Sequence, residues 1–521
     1  MAELDAVQSD LTGAAAGRQA RIVPWVEQHA LVICLSVQTL LLFADLGRLP
    51  VWGDEQSSFD RAVLGLVPHD TVHPGLYFSV LGGWLSAVCG GGSCVAGART
   101  LSALFTLAAT VAVDRCWLRA LDRRERAWFL ILWALSPALL LYGRMARSYS
   151  LQLLLAVVSL YAGSRYARQP TLVALLAYAA ASTVLLHTHY LPAIAVVAGV
   201  GVAMGYDAVV RRRRDTLWWA AAAPLAVAVA FAPWLPALTR AGEHVAQQTH
   251  YRVFGNVGDA VVALTFTAVS FSVGEALWPW TVAALPVIAL LLAAALLRGV
   301  RERPAWLAAV APAAAVAFLG ARQWVSYAFV AARLLFLLPF YLLLIVRGAR
   351  VPTRLGTALC AALALFSLAG IAAYFEQTGF LNKAYVLPTG TIADAIQAGS
   401  MRGPATVILD AHSSDFSAVA ARLPREARIL YVADPVSAAR AAAVADEPGI
   451  HRVWFVHSTH DVSPERYNAL VTAAFARRFA MHRTGFAPYS ALDRWLMGVA
   501  GWPHRPRYAI ELVDMRDDLD R

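Results

Sequence analysis

Apolar runs of about twenty residues recur along most of the chain, separated by short polar loops. Runs of that length match the apolar thickness of a bilayer when helical. They predict spanning helices near 28–46, 99–118, 127–142, 148–166, 172–187, 191–210, 217–236, 281–297, 304–320, 329–346 and 355–374. After residue 375 the pattern changes to strand-length runs such as ATVILD (405–410), ARILYVA (427–433), RVWFVHS (452–458) and RYAIELV (507–513). Helical patterns lie between them, at 391–398 and 464–479. Strand–helix alternation predicts a small α/β domain with a mainly parallel sheet.

Arginine orients the spans. Arg-rich loops lie at 115–126, 165–168, 211–214, 298–303 and 347–354. Placing all five in the cytoplasm gives one consistent alternation, with the N-terminus inside and the segment after 374 outside. Two further apolar stretches, 74–90 and 260–276, would flip intervening loops if they crossed. They read as juxtamembrane helices at the outer face. The expected architecture is a polytopic α-helical membrane protein of about eleven spans with an outer, periplasmic or extracellular α/β domain. Its parts are a cytoplasmic tail (1–27), a transmembrane domain (28–375) with a first outer loop at 47–98, and the α/β domain (376–521). The compartment expected is a bacterial cytoplasmic (inner) membrane.

Composition agrees: 59% of the 521 residues are hydrophobic and 15% are charged. The net charge of +10 follows from the loop arginines and implies no nucleic-acid partner. The first apolar run follows a polar tail and lacks a small-residue cleavage site, so it reads as an anchor. Of five cysteines, Cys89 and Cys94 in CGGGSC are expected outside, either as a disulfide or as two free thiols in a glycine-rich loop. The α/β domain shows no glycine-rich phosphate loop.

The polar residues expected at the outer face carry the chemistry. Asp54 and Glu55 follow the first span, and a carboxylate there can cap a helix, bind a metal or take a proton from a hydroxyl. HPGLY (73–77) follows, with His73 and Tyr77 as cavity-lining candidates. In RMARSYSL (144–151), Arg144, Arg147 and Tyr149 offer charge-assisted hydrogen bonds to a phosphate, or lipid-headgroup contacts. HTHY (187–190) brings His187, His189 and Tyr190, which suit a metal, a sugar or a structural role. Arg322, and Arg333 one turn inside a late span, call for an anion. The stretch QQTHYR (247–252) is either cavity lining or a surface loop.

Taken in order, D-E, H-P-G-L-Y, R-x-x-R-x-Y-S-L and H-x-H-Y resemble the polyprenyl-phosphate-dependent glycosyltransferases of the C-type fold. The branch most similar is that of the protein O-mannosyltransferases and the lipid A aminoarabinose transferase. The resemblance spans roughly residues 28–374. It implies a sugar donor on a polyprenyl phosphate, a glycan, lipid or protein acceptor, and inverting transfer. It implies no certain cofactor beyond the donor lipid, with a divalent metal left open. Asp54 matches the family's first-loop acid and Glu55 its companion. His73 matches the first residue of its H-P-P-L-Y stretch, with Gly75 where a second proline is usual. Arg144, Arg147 and Tyr149 match the donor-site segment, and Arg333 a late phosphate-binding arginine. The competing class is a lipid-linked oligosaccharide flippase or transporter, which would more often show internal repeats.

Overall fold

The computed structural model describes residues 27–47, 49–63, 74–91, 94–210, 215–236, 257–277, 280–299, 331–349, 353–380, 382–400, 405–410, 415–459, 464–499 and 505–517. His73, Arg322, the stretch 247–252 and the expected span at 304–320 lie outside the described residues. The chain divides into two compact units, residues 1–47 with 62–376 and residues 48–61 with 377–521.

The first unit is helical. Helices Val95–Leu118 and Arg354–Phe375 are long and apolar enough to cross a membrane. A third span arises if Arg123–Ala134 and Pro137–Arg144 count as one. Eight shorter apolar helices, of 10–17 residues, accompany them among the described residues. The expected continuous span at 127–142 is broken by a 53° bend. Pro137 lacks an N–H and disfavours a helical conformation at Ser136. Ser136 instead caps the new helix, its Oγ accepting from Leu139 N at 3.3 Å. The late span expected from 329 also differs. Residues 331–334 form a turn, followed by a 3-10 stretch and the helix Leu338–Ala349. Arg333 therefore sits in a turn, not inside a helix.

Buried polar groups tie this unit together. Thr110 Oγ1 donates to Gln38 Oε1 at 2.7 Å and accepts from Trp133 Nε1 at 2.8 Å, joining three helices. Such pairing is required where no water can substitute. Glycine permits the closest approach. Gly274 adopts φ +83°, and a Cβ there would lie 2.5 Å from Pro137 Cβ. Gly370 packs against the Val273 carbonyl and Pro137 on the same seam. The turn after helix Val257–Val273 is thereby fixed against the bend at Pro137. Cys89 and Cys94 form a disulfide, with Cα atoms 6.1 Å apart.

The second unit holds a five-stranded sheet of order β2-β1-β3-β5-β4. The strands are β1 (Thr406–Asp410), β2 (Arg428–Val432), β3 (Arg452–Ser458), β4 (Phe479–Pro488) and β5 (Tyr508–Asp517). β1, β2 and β3 are parallel, whereas β5 and β4 continue the sheet antiparallel. The sheet is therefore mixed rather than mainly parallel. β4 escapes the sequence pattern because FAMHRTGFAP, an edge strand, mixes charge, glycine and apolar residues. Each face of the sheet carries an apolar layer, one built on Val407, Leu409, Val456 and Leu512, the other on Ile408, Phe455, Val513 and Met515.

Residues 48–61 pack with this unit. The Trp52 ring meets Tyr385 edge-on at 5.1 Å, and Tyr385 meets Phe380 likewise at 6.2 Å. Lys383 in the same short turn pairs with Asp493 at 3.3 Å.

At the far end of β5, Asp514 receives Arg452 Nε and Nη2, both at 2.7 Å, and Arg516 Nε and Nη2 at 2.8 and 2.6 Å. Burial alone would raise its carboxyl; the arginines outweigh burial and hold it below the ordinary carboxylate range. A carboxyl depressed on folding contributes stability above its unfolded value and loses it as pH falls through the folded one. We expect amide protection of β3 and β5 in the full chain, measured by hydrogen exchange, to fall as pH drops below about 4. Asp514→Asn should remove that acid step; an unchanged step would assign it to another carboxylate.

Candidate functional site

The helix Tyr149–Arg168 begins immediately after the RMARS turn, so its first free N–H groups face the end of that turn. A helix N-terminus carries about half a positive charge and attracts anions. Arg147, in the turn, is 7% exposed and its guanidinium lies 5.8 Å from the Tyr149 ring centroid. Gln152, one turn into the helix and fully buried, donates Nε2 to the Arg333 carbonyl at 3.0 Å. That bond ties the 331–334 turn to the start of the helix.

His189 completes the group. It lies in the tight turn between helices Leu172–Leu186 and Tyr190–Val210. Its Nδ1 accepts from Leu191 N at 3.3 Å. Burial first, and then the charges of Arg333 and Arg147, push its imidazole down to about 3. The neutral ring keeps its proton on Nε2, since Nδ1 is an acceptor. Buried Arg147 and His189, half-buried Arg333 and the helix N-terminus therefore form one cationic centre.

A carboxylate that the sequence reading passed over adjoins it. Glu275, in the turn pinned by Gly274, is 3% exposed. It accepts from the Tyr142 hydroxyl and from Ser270 Oγ at 3.1 Å. Burial raises its carboxyl to about 7, against the effect of those two bonds. The Tyr142 ring meets Tyr149 edge-on at 5.8 Å, so Tyr149 lies between Glu275's partner and Arg147. The signal was a lone acid after Gly in SVGEAL, closing an apolar stretch.

Other expected site residues serve packing. Arg144 is 1% exposed and donates Nη1 to Leu41 O at 3.3 Å and Nη2 to Ala44 O at 2.7 Å. Its guanidinium also lies 5.6 Å from the Tyr374 ring and 5.7 Å from Phe375. Through the two hydrogen bonds it caps the end of the helix Glu27–Phe43. Tyr77 is fully buried, its hydroxyl 3.3 Å from Ser102 Oγ, between helices Leu76–Cys89 and Val95–Val113. His187 places Nδ1 2.9 Å from Thr183 O, with its ring against Phe231 and Trp234. Tyr190 accepts from Trp234 Nε1 at 3.0 Å. His187 and Tyr190 thus belong to an aromatic cluster, and His189 alone of that motif joins the arginines.

Asp54 and Glu55 stand in the first turn of helix Gly53–Val63, in the second unit. Glu55 is 1% exposed, and the Asp54 carbonyl accepts from Ser58 Oγ at 3.0 Å. Among the described residues, no group of three or more His, Cys, Asp or Glu is arranged to hold a metal ion.

We expect Arg144→Met to lower the thermal unfolding midpoint of the solubilised protein, by the equivalent of about 2–4 kcal/mol for two lost charge-assisted bonds. Arg147→Met should leave that midpoint nearly unchanged. Equal losses would mean that both arginines are structural.

No protein-family model and no curated protein matches the chain. Solved structures do. ArnT from Cupriavidus metallidurans, in a crystal structure bound to undecaprenyl phosphate, aligns at TM-score 0.50 and 13% identity, over 93% of this chain and 97% of its own. An Archaeoglobus fulgidus oligosaccharyltransferase, in complex with Zn and sulfate, aligns at TM-score 0.51 and 12% identity, over 88% and 72%. The chain has the fold of the C-type membrane glycosyltransferases.

Proposed function

We propose that this protein moves a sugar from a polyprenyl-phosphate donor to a hydroxyl acceptor, with inversion, at the outer face of a bacterial cytoplasmic membrane. The observation that carries this reading is the cationic centre of Arg147, Arg333 and His189 at a helix N-terminus. The undecaprenyl phosphate bound by ArnT, at this low identity, supports the donor class by analogy of fold. The Cys89–Cys94 disulfide supports an oxidising compartment for the first outer loop. The eleven-span topology belongs to the same proposal. The transporter alternative draws no support from the shared fold.

The chemistry follows from the charges. The acceptor oxygen attacks the anomeric carbon as the bond from that carbon to the phosphate oxygen breaks. The electron pair passes to the departing lipid phosphate, whose added charge Arg147 and Arg333 stabilise in a low-dielectric site. The acceptor proton goes to a carboxylate, for which the resemblance nominates Asp54, with Glu55 beside it. His189 stays neutral and donates from Nε2 without adding positive charge. Glu275 is proposed as a positioning residue, holding Tyr142 and through it the ring beneath Arg147. No step is routed through a metal.

Asp54→Asn should lower turnover about 10²–10⁴-fold while leaving donor affinity intact. Arg147→Ala and Arg333→Ala should each weaken donor binding about ten- to a hundredfold, the value of a charge-assisted hydrogen bond. Transfer of radiolabelled sugar from polyprenyl phosphate, and equilibrium binding of the donor, are the two assays. Full turnover in Asp54→Asn would remove it as the base, and unchanged donor affinity in both arginine variants would remove the phosphate site.

A further inference from the structure

The sheet of the second unit carries a polar row that the transfer chemistry does not use. β1 connects to β2 on one side, and its other neighbour β3 leads toward β5 and β4. Strand order thus reverses between β1 and β3, and in such sheets ligands bind outside the carboxyl ends of the strands at that point. Asp410 ends β1, and His457 is the penultimate residue of β3.

Register puts these residues side by side. Leu409 pairs with Val456, so Asp410 and His457 come next in line, and His457 pairs with Glu511 of β5. Residues two positions away, Ile408, Phe455 and Val513, lie in one apolar layer, so Asp410, His457 and Glu511 share that face and close it at its carboxyl edge. Arg483, opposite Val513 on β4, extends the row, its Nη1 3.2 Å from Glu511 Oε2. His457 Nε2 lies 3.6 Å from the same oxygen.

Exposure rises along the row. Asp410 is fully buried, and the His457, Glu511 and Arg483 side chains are 12%, 25% and 53% exposed. The residue opposite Glu511 is Gly485, where a Cβ would run into the Tyr508 ring. The missing side chain lets that ring, 37% exposed, lie over Gly485, the residue paired with Glu511. His457 Nδ1 lies 3.2 Å from the Ser458 carbonyl and donates to it. Burial pushes the imidazole below its ordinary value, so the neutral ring presents Nε2 as an acceptor.

A carboxylate and an imidazole nitrogen that accept from hydroxyls, a guanidinium that donates, and a half-open aromatic ring suit a polyol with an apolar ring face. An anionic ligand would meet two carboxylates. We propose that His457, Glu511, Arg483 and Tyr508, with the buried Asp410 behind them as a positioning residue, form a neutral-carbohydrate-binding site in the second unit, which takes the glycan acceptor. The acceptor assignment, though not the carbohydrate binding, rests on the transferase reading above.

The test uses the full chain in lipid nanodiscs, which keeps sugar-headed detergents away. Saturation-transfer NMR with mannotetraose, maltotetraose and a linear arabinotetraose measures binding. At least one probe should bind. Asp410→Asn and the surface change Tyr508→Ala should each weaken it at least tenfold, with β3 amide protection unchanged. No binding by any probe, or equal binding by Tyr508→Ala and wild type, overturns the proposal. Tyr508→Ala decides the question if Asp410→Asn does not fold. With a binding glycan as acceptor, the variants should raise its KM and leave donor KM alone. Binding with no transfer by wild type would sink the transferase reading and leave the carbohydrate site standing. Transfer with unchanged acceptor KM would sink the acceptor assignment and leave the transferase reading standing.

Discussion

A buried guanidinium, Arg147, and a half-buried one, Arg333, both act on the same buried imidazole and repel each other. The helical unit holds the arrangement by fixing the segments that carry the charges. Gln152 binds the Arg333 backbone, and Tyr149 takes the face of Arg147. His189 meets the same field by giving up its charge. On the proposed reading, positive charge gathered in advance serves an anion, because the anion finds the donors already in place.

The seam that supports this centre is made of small residues. Gly274 and Gly370 allow the turn before Glu275 to press against Pro137, where the chain also bends. Glu275 thereby reaches Tyr142, and Tyr142 reaches Tyr149. A methyl group at either glycine would meet atoms of that seam and shift the ring beneath Arg147. The bend thus has a positional consequence: it turns helix Pro137–Arg144 so that Tyr142 and Arg144 serve different partners.

Much of this was legible in hydropathy. The placement of most helices, four of the five strands and the change of pattern near 376 follow from period and run length. The rest depended on contacts distant in sequence. Arg144 and Arg147 look equivalent in RMARSYSL, yet one ends a helix beneath the carbonyls of Leu41 and Ala44 and the other lies in the following turn. In HTHY, His189 and His187 differ by which neighbours surround the turn, which spacing does not encode. The acidic stretch at 53–55 follows the first span in sequence, but aromatic packing of Trp52 on Tyr385 groups it with residues 377–521. Glu275 was overlooked because a single acid beside an apolar stretch carries no pattern.

The two units differ in the sign of their polar chemistry. In the helical unit the gathered charges are Arg147 and Arg333, with a neutral imidazole between them in the electrostatics. In the sheet unit the row contains Asp410 and Glu511 against Arg483, again with a neutral imidazole. A cationic centre recognises phosphate by charge, and it would hold a sugar hydroxyl weakly in comparison. A row of mixed sign with an aromatic ring discriminates the other way, since a phosphate would lose as much to the carboxylates as it gained from the arginine. The proposed reaction moves a sugar from a charged lipid phosphate to an uncharged hydroxyl compound and needs both kinds of recognition, which one surface cannot serve without weakening each. Separate polar systems on separate folding units answer that requirement. The sequence of the α/β domain, with its acidic and histidine-bearing strand ends, is intelligible on those terms.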